Sequence, residues 1–351
     1  LEDVPCYLSS YQQVMPATFV PSFTEGTYAS CARASQEDAS KLRVLGYAHT
    51  DQGYYYDLLS YYEPIIHTFV AVSEEVATNL GRRIPHRRND IHVKPYGVHV
   101  PHKLKRSWTG PGKPLKLAYA GRLVEDQKRI SDLVVLVAWL MEFRVDFHLK
   151  IVGTGSDEDK LMQGLAALGK DAMARVEFVG RLPAEAMPEI WRTADVSVLV
   201  SEYEGTSISM LESMAQGCVP VVTKVSGTQG ALRHGKTGFL VRIGHMRRMA
   251  KILKQLDRDR TILARMGVEA HHTALARYSF EEYVKWFTKL SRDVWAMPAR
   301  TWPTTMGLLP PVRCGSPPPP QTGLWFQSRR FGQQVMKRVY RYLDRPPQRR
   351  A

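Results

Sequence analysis

Strand-like and helix-like segments alternate along residues 115–241, and this alternation constrains the fold more than any other feature of the sequence. The strand-like segments are short apolar runs at 115–121, 147–153, 175–180, 195–200 and 219–223. Segments of helical length lie between them, at 129–143, 157–169, 184–194 and 207–217. Strands that alternate with helices form a parallel sheet covered on both faces. Ligands of such sheets bind at the carboxyl ends of the strands, beside the helix N-termini.

Residues 41–100 repeat this alternation less clearly. Segments 41–49 and 67–73 resemble strands, and 73–81 is predicted to be a helix with Ser73 as its N-cap and Gly81 as its stop. We therefore predict an α/β chain with two domains. Its predicted parts are a first domain at 1–100, a Pro-, Gly- and Lys-rich linker at 101–114, a second domain at 115–278, a helix at 279–296 that returns to the first domain, and a Pro- and Arg-rich basic tail at 297–351.

The charge and the cysteines exclude several classes of protein. Much of the net charge of +14 lies in residues 297–351, which hold ten Lys and Arg residues and one acid, so the body gives no reason to expect nucleic-acid binding. Cys6, Cys31, Cys218 and Cys314 lack the spacing of a zinc site or a disulfide framework, which predicts a cytoplasmic location. No apolar run approaches the roughly 18 residues of a membrane span.

The stretch "GALRHGKT" at residues 230–237 fits the pattern of a phosphate-binding P-loop. A true P-loop follows a strand directly and opens a helix whose N-terminal amides hold the phosphates. Here seven residues separate the strand at 219–223 from the core of the match, and the strand-like "GFLVRI" follows it. The pattern therefore favours a turn between two strands, and Lys236 is not expected to hold a phosphate.

A better anion site is predicted in "SEYEGTSISMLESMAQGCVPVV" at residues 201–222. A strand ends at Val200, and a helix is predicted to begin near Thr206 or Ser207, so the backbone amides of 205–208 can approach an anion. Glu204 precedes them in the loop, and Glu212 is predicted about two turns along the helix. These two carboxylates can accept hydrogen bonds from the hydroxyls of one ligand.

This Glu–seven residues–Glu pattern resembles the signature of the retaining family 4 glycosyltransferases. Further matches in the expected order are "VAVSEEV", "PYGV", "GRLVEDQKRISDLV", "IVGTGSDEDKL" and "VEFVGRLP". The resemblance implies a GT-B fold, in which two Rossmann-like domains face each other across a cleft. It also implies transfer of a hexose-type sugar from a nucleotide-sugar donor to a glycan or lipid-linked acceptor, with retention of the anomeric configuration.

The family pattern assigns roles to single residues of the second domain. Arg122 and Lys128 match the cations that grip the diphosphate, although Arg129 is an alternative to Lys128. Glu212 matches the carboxylate that binds the ribose, and Glu204 matches the one beside the hexose. The remaining donor-binding positions are the base-lining Arg181 and Leu182 and the helix-start residues Gly205, Thr206, Ser207 and Ile208. No cofactor and no divalent metal are expected, because cations and helix amides stabilise the leaving diphosphate.

His49 is the predicted catalytic residue of the first domain, with Asp51 as second choice. The resemblance places His49 at a strand end facing the donor sugar, where an imidazole can form hydrogen bonds near neutral pH. Residues 1–40 do not supply the strand and Gly-rich loop with which the family opens, so we expect the acceptor-side domain to be partial. The stretch 226–232, "SGTQGAL", also departs from the acidic turn that is usual there.

Two other functions remain open at this stage, a non-catalytic nucleotide-sugar-binding protein and a P-loop nucleotide hydrolase. The tail adds a question of location, since residues 325–345 place apolar and basic side chains at helical spacing. That pattern is typical of a helix on an anionic membrane surface, and equally of a solvated basic end.

Overall fold

The computed structural model describes residues 3–22 and 24–310, with side chains from residue 9 onward. Contacts divide the described chain into two units, which we treat separately. Unit 1 comprises residues 3–97 and 280–310, and unit 2 comprises Val98–Ser279. The amphipathic pattern at 325–345 lies outside the described residues.

Unit 1 contains a parallel sheet of four strands in the order β1-β2-β3-β4. Its strands are β1 (Ala17–Phe19), β2 (Leu42–Ala48), β3 (Thr68–Ala71) and β4 (Ile91–Val93). Its helices are α1 (Asp3–Val14), α2 (Glu25–Asp38), α3 (Gly53–Tyr61), α4 (Glu74–Arg83) and, after unit 2, α14 (Phe280–Asp293). Every residue of β2 is buried, so this strand forms the centre of the unit's core.

Unit 1 bears on two details of the sequence analysis. Residues 1–40 contain the short strand β1, which pairs in parallel with the first residues of β2, but residues 20–24 between β1 and α2 include no glycine, so no Gly-rich loop follows this strand. Gly81 does not end α4, which continues to Arg83. Gly81 keeps helical geometry and packs beside Arg88 and Ile91. The predicted N-cap is confirmed, since the Ser73 hydroxyl accepts a hydrogen bond of 3.3 Å from the Val76 amide.

Unit 2 contains a parallel sheet of six strands in the order β10-β9-β8-β5-β6-β7. The strands are β5 (Leu115–Ala120), β6 (Phe147–Val152), β7 (Val176–Gly180), β8 (Val196–Leu199), β9 (Val219–Thr223) and β10 (Phe239–Val241). The helices are α5 (Glu125–Lys128), α6 (Ser131–Glu142), α7 (Glu158–Ala166), α8 (Lys170–Met173), α9 (Met187–Thr193), α10 (Ile208–Ala215), α11 (Ser226–Gln229), α12 (Met246–Arg258) and α13 (Thr261–Arg277).

The strand order of unit 2 reverses direction at β5. From this strand the chain adds β6 and β7 on one side, and then β8, β9 and β10 on the other. A crevice therefore opens at the carboxyl ends of β5 and β8, which is where ligands bind in doubly wound sheets. The loops after these two strands are 121–124 and 200–207, and they carry half of the predicted donor-binding residues, namely Arg122, Glu204, Gly205, Thr206 and Ser207.

The segment predicted as a linker, residues 101–114, lies within unit 2 by its contacts. The Arg106 guanidinium donates to the backbone carbonyls of Trp191, Ala194 and Gln216. Trp108 stacks on Arg106 and donates its indole N–H to the Gly217 carbonyl at 3.1 Å. This segment is therefore fixed to the body of unit 2.

Candidate active site

Lys128 and Glu204 meet at the crevice between β5 and β8. The Lys128 ammonium lies 2.6 Å from Glu204 Oε1, and only 12% and 7% of the two side chains are exposed. The Ser201 hydroxyl donates to the same carboxylate oxygen at 2.7 Å. Lys128 and Glu204 are 76 positions apart in the sequence. They come together because β5 and β8 are neighbouring strands.

The backbone of Glu204 is held by the start of α11. The Ser226 hydroxyl and the Gly227 amide both donate to the Glu204 carbonyl, at 2.6 and 3.0 Å. A Cβ on Gly227 would lie 2.6 Å from the Gly205 carbonyl oxygen, so only glycine allows this approach. The stretch 226–232 therefore supports the Glu204 loop, and this accounts for its Ser-Gly sequence.

The two other cations of the β5 loop have different environments. Arg122 is exposed, and its guanidinium donates to the Gln127 side-chain oxygen. Arg129 has a left-handed backbone with φ of 47°. Its side chain binds Asp132 at 2.8 Å and Glu202 at 2.6 Å. Lys128, rather than Arg129, is consequently the cation beside Glu204.

The N-terminus of α10 offers hydrogen-bond donors at the same crevice. The helix begins at Ile208, and the Leu211 amide is the first to bond to a backbone carbonyl, that of Ser207. The amides of 208–210 therefore precede the hydrogen-bond ladder of the helix. The Ser207 hydroxyl is buried and has no hydrogen-bond partner among the described residues, and Gly205 and Thr206 complete the loop. Such unsatisfied donors at a helix N-terminus suit an anion.

Glu212 lies about one turn into α10, not two, because the two turns count all eight residues from Glu204, whereas the helix begins at Ile208. Its carboxylate accepts a hydrogen bond of 3.3 Å from the Trp191 indole N–H. Burial raises the pKa of Glu212. Trp191 also contacts the apolar cluster against which Leu182 packs. Glu212, the predicted ribose position, and Leu182, a predicted base position, are therefore both placed by the cluster that contains Trp191. Arg181, next to Leu182, is exposed.

His49 follows β2 in unit 1 and is held by hydrogen bonds on both ring nitrogens. Nδ1 contacts the Tyr96 hydroxyl, and Nε2 lies 3.2 Å from the Ser22 hydroxyl. Burial lowers the pKa of His49 to about 4, so the imidazole is neutral at pH 7. Asp51 accepts hydrogen bonds from Tyr56 at 2.6 Å and Asn79 at 2.9 Å, which gives it a structural environment.

The loop at 230–237 does not have the geometry of a P-loop. Helix α11 and a turn separate it from β9, and strand β10 follows it. Thr237 is buried, and its hydroxyl accepts a hydrogen bond of 2.9 Å from the Arg233 amide. The Thr237 hydroxyl is therefore not available to a metal ion that binds phosphate. The loop is followed by a strand, so it does not open a helix whose N-terminal amides could hold the phosphate.

Sequence reasoning missed the residues that support this site. These are Gln127, Trp191, Ser201, Ser226 and Gly227. Their contacts come from strand order and loop packing, and no motif spacing indicates them. Within residues 3–22 and 24–310, no cluster of three or more His, Cys, Asp or Glu residues could hold a metal ion. The described helices also include none that is long and apolar enough to cross a membrane.

Solved structures define the class of fold. The UDP complex of Anabaena Alr3699/HepE matches with a TM-score of 0.68 at 16% identity, over 83% of this chain and 82% of that chain. TarM of S. aureus matches with a TM-score of 0.70 at 16% identity, over 82% of this chain and 58% of that chain. These similarities confirm the predicted GT-B class, with two Rossmann-like units.

Sequence comparisons then show which family model and which curated relatives unit 2 is similar to. Residues 102–273 match the family model described as glycosyl transferases group 1. N-acetyl-alpha-D-glucosaminyl L-malate synthase of Bacillus anthracis is 29% identical over 48% of this chain and 42% of its own length. D-inositol 3-phosphate glycosyltransferase of Corynebacterium urealyticum is 31% identical over 52% of this chain and 44% of its own length. The alignments span less than half of the length of these curated relatives.

Proposed function

We propose that this protein is a retaining, family 4 glycosyltransferase that moves a hexose-type sugar from a nucleotide-sugar donor to a glycan or lipid-linked acceptor. The observation that carries this proposal is the crevice at β5 and β8. It combines the buried Lys128–Glu204 pair with the N-terminus of α10 and with Glu212 further along that helix. The group 1 match of residues 102–273 and the named glycosyltransferase relatives support the same activity.

The proposed donor arrangement uses each part of the crevice for one part of the ligand. The diphosphate binds the first amides of α10 and the Ser207 hydroxyl, with Arg122 and Lys128 on its other side. An ammonium has three donors, so Lys128 can bind a phosphate oxygen and keep its contact with Glu204. Glu212 accepts the ribose hydroxyls and Glu204 those of the hexose, while the base lies along the backbone of Arg181 and Leu182.

The proposed chemistry is electrostatic stabilisation of the leaving group. The bond between the anomeric carbon and the diphosphate breaks, and the acceptor oxygen bonds to the same face of that carbon. The acceptor proton passes to the leaving phosphate oxygen. Arg122, Lys128 and the α10 amides stabilise the charge that develops there, which is the role of fixed donors in group transfer. We propose that no divalent metal and no cofactor take part.

The role of unit 1 rests on His49. A neutral imidazole has one donor and one acceptor. We propose that one ring nitrogen of His49 exchanges its contact with Tyr96 or Ser22 for a hydroxyl of the donor sugar or acceptor, without carrying charge. We also propose a cytoplasmic location. Peripheral membrane contact through residues 325–345 stays a prediction that vesicle co-sedimentation with and without residues 321–351 tests.

A transfer assay with radiolabelled UDP- and GDP-hexoses and glycan or lipid-linked acceptors tests this function. UDP-glucose is the first donor to try, because a solved neighbour of the same fold binds it. We expect Arg122→Ala to reduce transfer by on the order of 10²–10³-fold, since removal of one transition-state donor costs about that much. Arg258→Ala is the matched control, because this exposed arginine at the end of α12 is assigned no role. Nucleotide binding without transfer by the wild type would support the non-catalytic alternative instead.

A further inference from the structure

A second concave surface of unit 2 lies around the amino-terminal ends of β5 and β6. The β5–β8 crevice lies at the other end of the strands, where their carboxyl ends are. The cavity has a volume of about 540 Å³, which is within the usual range of small-molecule sites. Residues from the segment before β5, from both strands and from the end of α9 line it; those used below are Thr109, Lys113, Pro114, Lys116, His148 and Lys150. We call it the cationic cavity.

The sequence of the strands shows why this surface is open. Parallel strands covered on both faces are nearly continuous runs of apolar residues. In β5 and β6, however, polar residues alternate with apolar ones at the amino ends, so that Lys116, His148 and Lys150 share one face. Lys116 pairs in register with His148, and Ala118 pairs with Lys150. Lys116 is exposed and the other two are half-buried, so this part of the face is not covered by a helix.

The charge of the cavity is positive. Three ammonium groups line it, and none of its lining residues is acidic. Glu177 of the next strand lies 3.6 Å from Lys150 and 3.7 Å from His148, and it offsets part of their charge. Lys113 and Lys116 form no ion pair with the described residues, so their charge is available to a ligand. The Asp195 carboxylate behind the cavity is buried, and it accepts hydrogen bonds from the backbone amides of Thr109 and Lys116.

The lining is also partly apolar, because the exposed Pro114 contributes to it. Lysine ammoniums are compact charges that bind phosphate well. A concave site that combines them with apolar surface favours a small organic anion over a macromolecule. We propose that the cationic cavity binds a phosphomonoester with an apolar substituent, its phosphate between Lys113 and Lys116 and its apolar part on Pro114.

This site is separate from the proposed donor site. The six residues of β5 rise about 3.3 Å each, so roughly 17 Å separates the amino-terminal end of this strand from its carboxyl end. Lys116 is near the start of the strand, whereas Arg122 follows its end. A ligand at the cationic cavity can therefore bind together with a nucleotide, and the two affinities can be measured independently.

Calorimetry of the full chain with phenyl phosphate at low ionic strength tests the proposal. We expect saturable binding at one site per chain, weaker binding of inorganic phosphate, and no binding of phenol. The double variant Lys113→Gln/Lys116→Gln should lose at least about tenfold in affinity, since a hydrogen bond to a charged group contributes roughly that much. The matched control is Lys170→Gln/Lys251→Gln, which removes two exposed ammoniums of unit 2 outside the cavity and should stay within twofold.

A nucleoside diphosphate titration on the same two variants separates the sites. Both should bind the nucleotide as the wild type does if the nucleotide site is at the β5–β8 crevice. Absence of saturable phenyl phosphate binding by the wild type would overturn the cationic cavity. Equal losses in both double variants would also overturn it, because they would show nonspecific attraction to a basic surface. Displacement of phenyl phosphate by the nucleotide would place it in the donor site and contradict the inference in the same way.

Discussion

Burial of the Glu212 carboxylate is unfavourable, and a ligand that donates hydrogen bonds to it can offset this cost. Its carboxylate is partly buried, and among the described residues the Trp191 indole is its hydrogen-bond donor. Burial of an ionised carboxylate with few donors raises its pKa. Ribose hydroxyls are donors, and in the proposed complex they would supply the hydrogen bonds that the protein alone does not.

The variant Glu212→Gln should therefore increase the stability of the free protein at neutral pH. A carboxyl group whose pKa is higher in the folded state stabilises that state only while it is protonated, so its contribution is lost as pH rises through the folded pKa. Glutamine keeps the acceptor for Trp191 but cannot ionise. We expect the Tm difference between variant and wild type to grow from pH 4 to pH 7 in scanning fluorimetry. A constant difference would show that Glu212 is not destabilised by burial.

His49 and His67 are predicted to remain neutral well below the usual histidine range. Burial lowers the pKa of each to about 4, and for His67 the nearby Arg43 and Arg300 add to the effect. Both imidazoles should thus show neutral NMR shifts at pH 5.5. Because unfolded histidines titrate near 6.5, the unfolded chain binds more protons, and stability should fall from pH 6.5 toward pH 4. Protonation of His49 near pH 6.5 would contradict the observed burial and the neutral role proposed for it.

At the scale of elements, the position of Glu204 depends on how α11 packs beneath its loop. Gly227 approaches the Gly205 carbonyl closely, whereas a Cβ on Gly230, at the end of the same helix, would meet no atom within 4 Å. Gly230 has an ordinary φ of −71°. These two glycines therefore form a matched pair with opposite expectations.

We expect Gly227→Ala to destabilise the protein by about 1–3 kcal/mol, the usual cost of overpacking. Gly230→Ala should be neutral or should stabilise by about 0.4–1 kcal/mol, because it restricts only the unfolded chain. Urea unfolding measures both, and nucleotide calorimetry shows whether the Glu204 loop moves. Equal effects of the two substitutions would mean that the close approach at Gly227 is not a constraint.

The elements of unit 2 could be predicted well because their apolar runs are long and bounded by glycine and polar residues. The segment 147–153, for example, was predicted as a strand and contains β6 at Phe147–Val152. In unit 1, β1 has three residues and α2 is rich in small and polar residues, so neither has a clear period. The Lys128–Glu204 contact could not be predicted from spacing alone. It depends on β5 lying next to β8, which the order of the strands determines.

At the scale of the whole molecule, two parallel-sheet units give the chain the GT-B class, and unit 2 by itself contains every residue proposed to bind the nucleoside diphosphate. The crevice of unit 2 lies at the point where its strand order reverses, whereas the P-loop-like stretch 230–237 lies beside the outer strands β9 and β10. The central claim is therefore one of location, that a nucleoside diphosphate binds at the β5–β8 crevice.

Calorimetry with UDP and GDP on Glu212→Ala and Lys236→Ala tests this claim most directly. Loss of charge-assisted hydrogen bonds worth about 1.5–3 kcal/mol should weaken the affinity of Glu212→Ala by roughly 10–150-fold. Lys236→Ala should stay within twofold of the wild type, because residues 230–237 do not form a P-loop. Unchanged affinity in Glu212→Ala together with loss in Lys236→Ala would contradict the account and place the nucleotide at residues 230–237.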